Sequence, residues 1–100
     1  MADDETALVE LAEAIGASGQ AFMTALGPVI LASRALEIAS DTRSVARLFD
    51  VAHALVIREC RHLEEDLGLL AITDKAERSA RLFFDLTPAA QALASSESAA

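Results

Sequence analysis

The sequence predicts a mainly α fold interrupted by a single β-hairpin, and three observations carry that prediction. Apolar residues recur at three- and four-residue intervals over the first two-thirds of the chain, the period of helices with one buried face. The stretch LEEDLGLLAITDKAERSARLFFDLTP, residues Leu63 to Pro88, then gives up that period for two short apolar runs around a polar loop. Thr87-Pro88 finally reopens a helix, because threonine caps a helix well and proline suits its first position. One hundred residues, 53% of them apolar, make one domain, 1–100.

The N-terminal segment, 1–40, reads as two helices. Leu8, Leu11, Ile15, Phe22 and Leu26 keep an apolar stripe, and Asp3, Asp4 and Glu5 favour a helix N-terminus. Ser18 and Gly19 fall near the middle of that stripe, where small residues let a second backbone approach, so this helix is the candidate homodimer surface. Gly27-Pro28 is expected to end it and start the next. The second helix carries Val29, Ile30, Leu31, Leu36 and Ile38 and is expected to stop before Ser40.

Residues 43–69 read as two shorter helices. Asp41 or Thr42 caps the first, which runs through Val45, Leu48 and Phe49. The second, 52–67, follows Asp50-Val51. At about 100° per residue, Ala52, Val56, Cys60, Leu63 and Leu67 share an inward stripe. Ala54, Arg58, Arg61 and Glu65 lie opposite, with Leu55 and Ile57 on the flanks, and Gly68 suits the closing turn. The hairpin, 69–86, is expected to pair Leu69–Ile72 with Arg81–Leu86 around a charged tip, Thr73–Ala80. Two strands alone are marginal, so the hairpin must lean on the helices. A short last helix, 87–94, precedes a frayed tail from Ser95.

Composition narrows the function classes. The net charge of −8 disfavours nucleic acid, but its distribution does not. All eight basic residues lie between Arg34 and Arg81, and seven of them fall in two patches: Arg43 to Arg61 with four and Lys75 to Arg81 with three. Ala14 to Ser33 carries no charge over twenty residues, a length that could span a bilayer. Three glycines, Pro28, Ser18, Gln20 and Thr24 argue for buried helices instead, and no membrane association is expected. The acidic start lacks the basic region of a secretory signal, so the expected compartment is the cytoplasm. No phosphate-binding glycine loop, nucleophile elbow or zinc-binding histidine pattern is present, and neither an enzyme nor a metal or cofactor is expected. Cys60 lies in the inward stripe as a small core residue, and His62 has no partner at metal-ligand spacing.

Helix, tight turn, helix with outward arginines, hairpin with a basic tip: this order is that of a winged helix-turn-helix. An α-helix fits the major groove of duplex DNA, where arginine can grip guanine with two hydrogen bonds. A charged hairpin beside it reaches phosphates or the minor groove. ERSARLFFDLTPAAQAL, Glu77 to Leu93, resembles the wing of the MarR-type transcriptional regulators, with an acidic residue, arginine, a short strand and Leu-Thr-Pro opening a helix. VARLFDVAHALVIRECRHLEEDLGL, Val45 to Leu69, is similar to the helix-turn-helix of both LysR-type and MarR-type regulators. It supplies the small residue Ala46, the apolar positions Phe49, Val51, Val56, Cys60 and Leu63, and a closing Leu-Glu-Glu-Asp-Leu-Gly. The resemblance implies a homodimeric bacterial regulator that binds duplex DNA.

On that reading Arg58 and Arg61 enter the major groove, while Arg43, Lys75 and Arg78 anchor phosphates. Arg47 meets the backbone from the first helix of the motif, His53 starts the recognition helix beside the backbone or a base edge, and Arg81 belongs to the basic wing. In the family the arginine matching Arg78 also holds the wing loop through an acidic partner. Two features point elsewhere. The start of the recognition helix has Ala52, His53, Ala54, Leu55 and Ile57 where the family has Ser or Thr and Arg, and barely a dozen residues follow Pro88 where the family has a long dimerising helix. Exposed apolar groups there suit a winged-helix module that pairs with a protein partner and does not bind DNA.

Overall fold

A computed structural model of the chain describes residues 2–17 and 24–98, and side chains over 5–17 and 24–94. Five helices and one two-stranded antiparallel hairpin follow in the order α1 (Ala2–Gly16), α2 (Leu26–Ala35), α3 (Thr42–Phe49), α4 (His53–Glu65), β1 (Leu70–Ala76), β2 (Arg81–Leu86) and α5 (Pro88–Ser98). The mainly α reading with one hairpin is what the structure has. Among the described residues, no helix is long and apolar enough to cross a membrane.

The predicted first helix is too long. It ends at Gly16, and Thr24 is not helical. Gly27-Pro28 does not separate the two helices but lies in the first turn of α2, where proline's missing N–H would have no intrahelical acceptor anyway. Pro28 packs against Gly16, whose Cα would carry a Cβ only 3.5 Å from Pro28 Cγ. Ser18, Gly19 and Phe22 lie outside the described residues.

Helix α2 stops at Ala35, earlier than expected. Glu37 takes the left-handed conformation (φ 59°), its N–H donates to Arg34 O, and Ile38 N–H donates to Ser33 O at 2.8 Å. These are the two bonds of a Schellman ending. Leu36 is therefore exposed and not part of the core. Helix α3 ends in the same way, with Asp50 at φ 55° and Val51 N–H on Ala46 O.

The α4 stripe follows the helical period: Val56, Cys60 and Leu63 are fully buried, while Ala54, Arg58, Arg61 and Glu65 are exposed. Ala52 is an exposed cap residue, so α4 is shorter at both ends than 52–67. Gly68, at φ 65°, makes the turn into the hairpin that a side chain would strain. One core cluster joins Leu8, Leu11 and Ile15 to Ile30, Val45, Leu63, Leu70 and Phe84.

The hairpin spans nearly the predicted residues, but its first strand is longer and its tip shorter. Strand β1 continues to Ala76, so the tip is only 77–80, with Ala80 at φ 56°, and Lys75 lies in the strand. The register pairs Leu70 with Leu86 and Ile72 with Phe84. It then slips by one residue around Thr73, so that Asp74 faces Phe83, Lys75 faces Leu82 and Ala76 faces Arg81. On the other edge of β2, Asp41 forms an isolated bridge with Phe83, and Phe84 N–H donates to Ser40 O at 3.0 Å.

The last helix follows the predicted start and overruns the predicted end. Thr87 Oγ1 accepts from Ala90 N–H at 3.3 Å and donates to Gly68 O at 2.7 Å. The backbone stays helical to Ser98, beyond the expected fraying at Ser95, and α5 packs on α1 and α2 with Ala90 and Ala94 buried.

Candidate nucleic-acid interface

Three elements meet where α3 begins. Asp41 is extended (φ −147°), and its carboxylate accepts from Ser44 N–H at 3.0 Å and from Ser44 Oγ at 2.7 Å, capping α3. Burial alone would raise the pKa of Asp41. The Ser44 bonds, then the Arg81 charge, outweigh it and hold the carboxyl below its usual range. Arg81 Nε lies 3.3 Å from Asp41 Oδ2 but out of line for a hydrogen bond, and its guanidinium carbon is 6.0 Å from the centre of the Phe83 ring.

The next residue, Thr42, is fully buried and joins the elements directly. Its Oγ1 accepts from Leu82 N–H on β2 at 3.0 Å and lies 2.7 Å from His53 Nε2 on the first turn of α4. Burial, then the charges of Arg43 and Arg81, push the His53 pKa down, against an opposing pull from Asp41. Arg43, one residue on, reaches the hairpin tip and donates from Nη2 to Ser79 O at 3.4 Å. Arg34 of α2 clamps the other end of β2, donating from Nε to Phe84 O at 3.2 Å with Nη2 3.1 Å from Asp85 Oδ1.

The eight candidate residues thus divide. Arg43, His53 and Arg81 converge on this corner, each partly covered and each engaged within the molecule. Arg47, Arg58, Arg61, Lys75 and Arg78 are exposed. Arg58 and Arg61 border an open cavity of about 450 Å³ with Thr24, Glu59, His62, Glu65 and Asp66. Among the described residues no ion pair engages either arginine, whereas His62 Nδ1 lies 2.6 Å from Asp66 Oδ2. Leu48 and Leu55 are each 47% exposed.

From the sequence Thr42 is a cap at most, and its junction is hidden, since nothing local links residues 42, 53 and 82. Glu59 is equally silent there, yet it is only 6% exposed, with Oε2 buried and without a hydrogen-bond partner among the described residues. No group of three or more potential metal ligands occurs among the described residues. No protein-family model, curated protein or solved structure matches the chain.

Proposed function

We propose that the chain is a cytoplasmic, DNA-binding transcriptional regulator of winged helix-turn-helix type, similar to the MarR-type regulators and without catalytic activity. α4 is its recognition helix and the hairpin its wing. The observation that carries the reading is the corner at Thr42. It holds the first turn of α4 against the hairpin, while Arg43 steadies the tip that bears Arg78. A helix and a basic hairpin held side by side suit one groove and its neighbouring phosphates. The order α2, Asp41 bridge, α3, α4, β1, β2 supports the same reading.

On this reading the five exposed cations take separate roles. Arg58 and Arg61 face base edges, and Arg47, Lys75 and Arg78 neutralise phosphates. The partly covered Arg43 adds its charge at the tip. Homodimerisation through the N-terminal helix would present two recognition helices to a palindromic site.

The test is selection from a random duplex library at low salt, followed by titration of the enriched site at several salt concentrations. Arg78→Ala should weaken every sequence and reduce the salt slope by about one, and Arg58→Ala should relax preference at particular bases. Recovery of no sequence above background by the folded chain would overturn the reading.

A second reading has its own observation. Leu48 and Leu55 are large exposed apolar groups on the two helices of the motif, and the net charge is −8. A module that docks a protein would show this surface. Leu55→Asp would then abolish partner binding.

A further inference from the structure

The Thr42 hydroxyl has one proton and two neighbours. Leu82 N–H already donates to it, so the neutral arrangement has the hydroxyl donating to His53 Nε2, with the imidazole proton on Nδ1. A proton on Nε2 would turn that nitrogen into a donor. Thr42 Oγ1 would then receive two donors, and its hydroxyl proton would lose its one acceptor among the described residues, inside a residue with no solvent exposure. Among the described residues, the charges that act on the ring are Arg43 from α3 and Arg81 from β2, both opposed to a proton, and Asp41 at the α3 cap, which favours one.

We propose that Thr42 and His53 form a proton-operated latch between α4 and the hairpin, closed while His53 is neutral and released when Nε2 takes a proton from solvent. Release frees Leu82 N–H from its acceptor and lets β2 move relative to the first turn of α4. The functional meaning of the latch rests on α4 and the hairpin being the two arms of one interface, but its existence does not depend on DNA.

The sign follows from the direction of the shift. A ring whose pKa is depressed by folding favours the closed state at neutral pH, and that contribution is lost as pH falls through the folded value. Acidification therefore loosens the hairpin.

The test is NMR of the full chain without DNA. At neutral pH the His53 ring should show a protonated Nδ1 and a bare Nε2. As the ring titrates, Leu82 amide protection, corrected for intrinsic exchange, should fall by up to roughly tenfold per pH unit. The Leu63 amide should stay protected, separating latch release from acid unfolding. His53→Gln should make Leu82 protection independent of pH, and Thr42→Val should leave Leu82 unprotected throughout. A protonated Nε2 at neutral pH, or Leu82 protection unmoved by the His53 titration, overturns the latch. If the wild type alone is measurable, those two results still decide it. Failure to bind DNA would overturn the proposed function and leave the latch standing.

Discussion

Replacing Asp41 by alanine probes the corner on which the interface reading depends. The carboxylate caps α3 through Ser44 N–H, worth about 1 kcal/mol. It also accepts from the Ser44 hydroxyl at 2.7 Å, worth about another 1 kcal/mol, because the site is shielded from water. The Arg81 pair at 3.3 Å is partly solvent-exposed and adds less than about 1 kcal/mol. Asp41→Ala should therefore destabilise the chain by about 2–3 kcal/mol at neutral pH. With a urea slope of about 1.5 kcal/mol per M, the midpoint of far-UV circular dichroism should drop by roughly 1.3–2 M. Asp41→Asn keeps the cap through its one carbonyl oxygen, while its amide group can donate to Ser44 Oγ instead of accepting from it, so only the Arg81 attraction is lost and the cost should be under about 1 kcal/mol. The pH dependence supplies the control. A carboxyl whose pKa is lowered by folding stabilises above its unfolded value, near 4, and that stabilisation is lost as pH falls through the lower folded value. The gap between wild type and Asp41→Ala must narrow over that range. An equal gap at acid and neutral pH, or an asparagine variant as weak as the alanine one, would refute this account of the corner.

Two further outcomes follow from α4. Glu59 keeps a carboxylate oxygen buried and, among the described residues, unpaired, so Glu59→Met should stabilise by about 1 kcal/mol and raise Tm by roughly 4–8 °C in calorimetry. A loss instead would mean that the carboxylate is paired in solution. Burial first, and the neighbouring Glu59 charge second, push the Cys60 thiol up to about 12. The folded chain at pH 8 should therefore resist iodoacetamide and be alkylated only once unfolded in urea; rapid labelling of the native chain would contradict the burial.

The parts of this fold that are legible in the sequence are those written in local periods and caps. Val56, Cys60 and Leu63 declare the inner face of α4 by their spacing, and Gly68 and Thr87-Pro88 mark ends that depend on single residues. The misjudged parts are held by distant partners. Thr73 to Ala76 looks like loop because its residues are polar, yet β1 persists there through its ladder with β2. Glu37 ends α2 in a conformation usually given to glycine or asparagine, so it does not advertise a helix end. Of the candidate site, the exposed arginines of α4 are legible from one helical wheel. The engagement of His53 and Arg81 is not, because it requires knowing that residues 41 and 42 lie against 81 and 82.

The bulge at Thr73 has a consequence for how the hairpin finds its pairing. Were Thr73 kept in the ladder, Asp74 would oppose Leu82 and Lys75 would oppose Arg81, setting two cations face to face. Leaving it out brings a neutral alanine opposite Arg81 and gives Lys75 an apolar neighbour across the ladder. The hairpin without the bulge would thus penalise itself by charge repulsion at its outer end. Register, which a polar two-stranded ribbon specifies weakly, is here proofread by the sign of a single side chain.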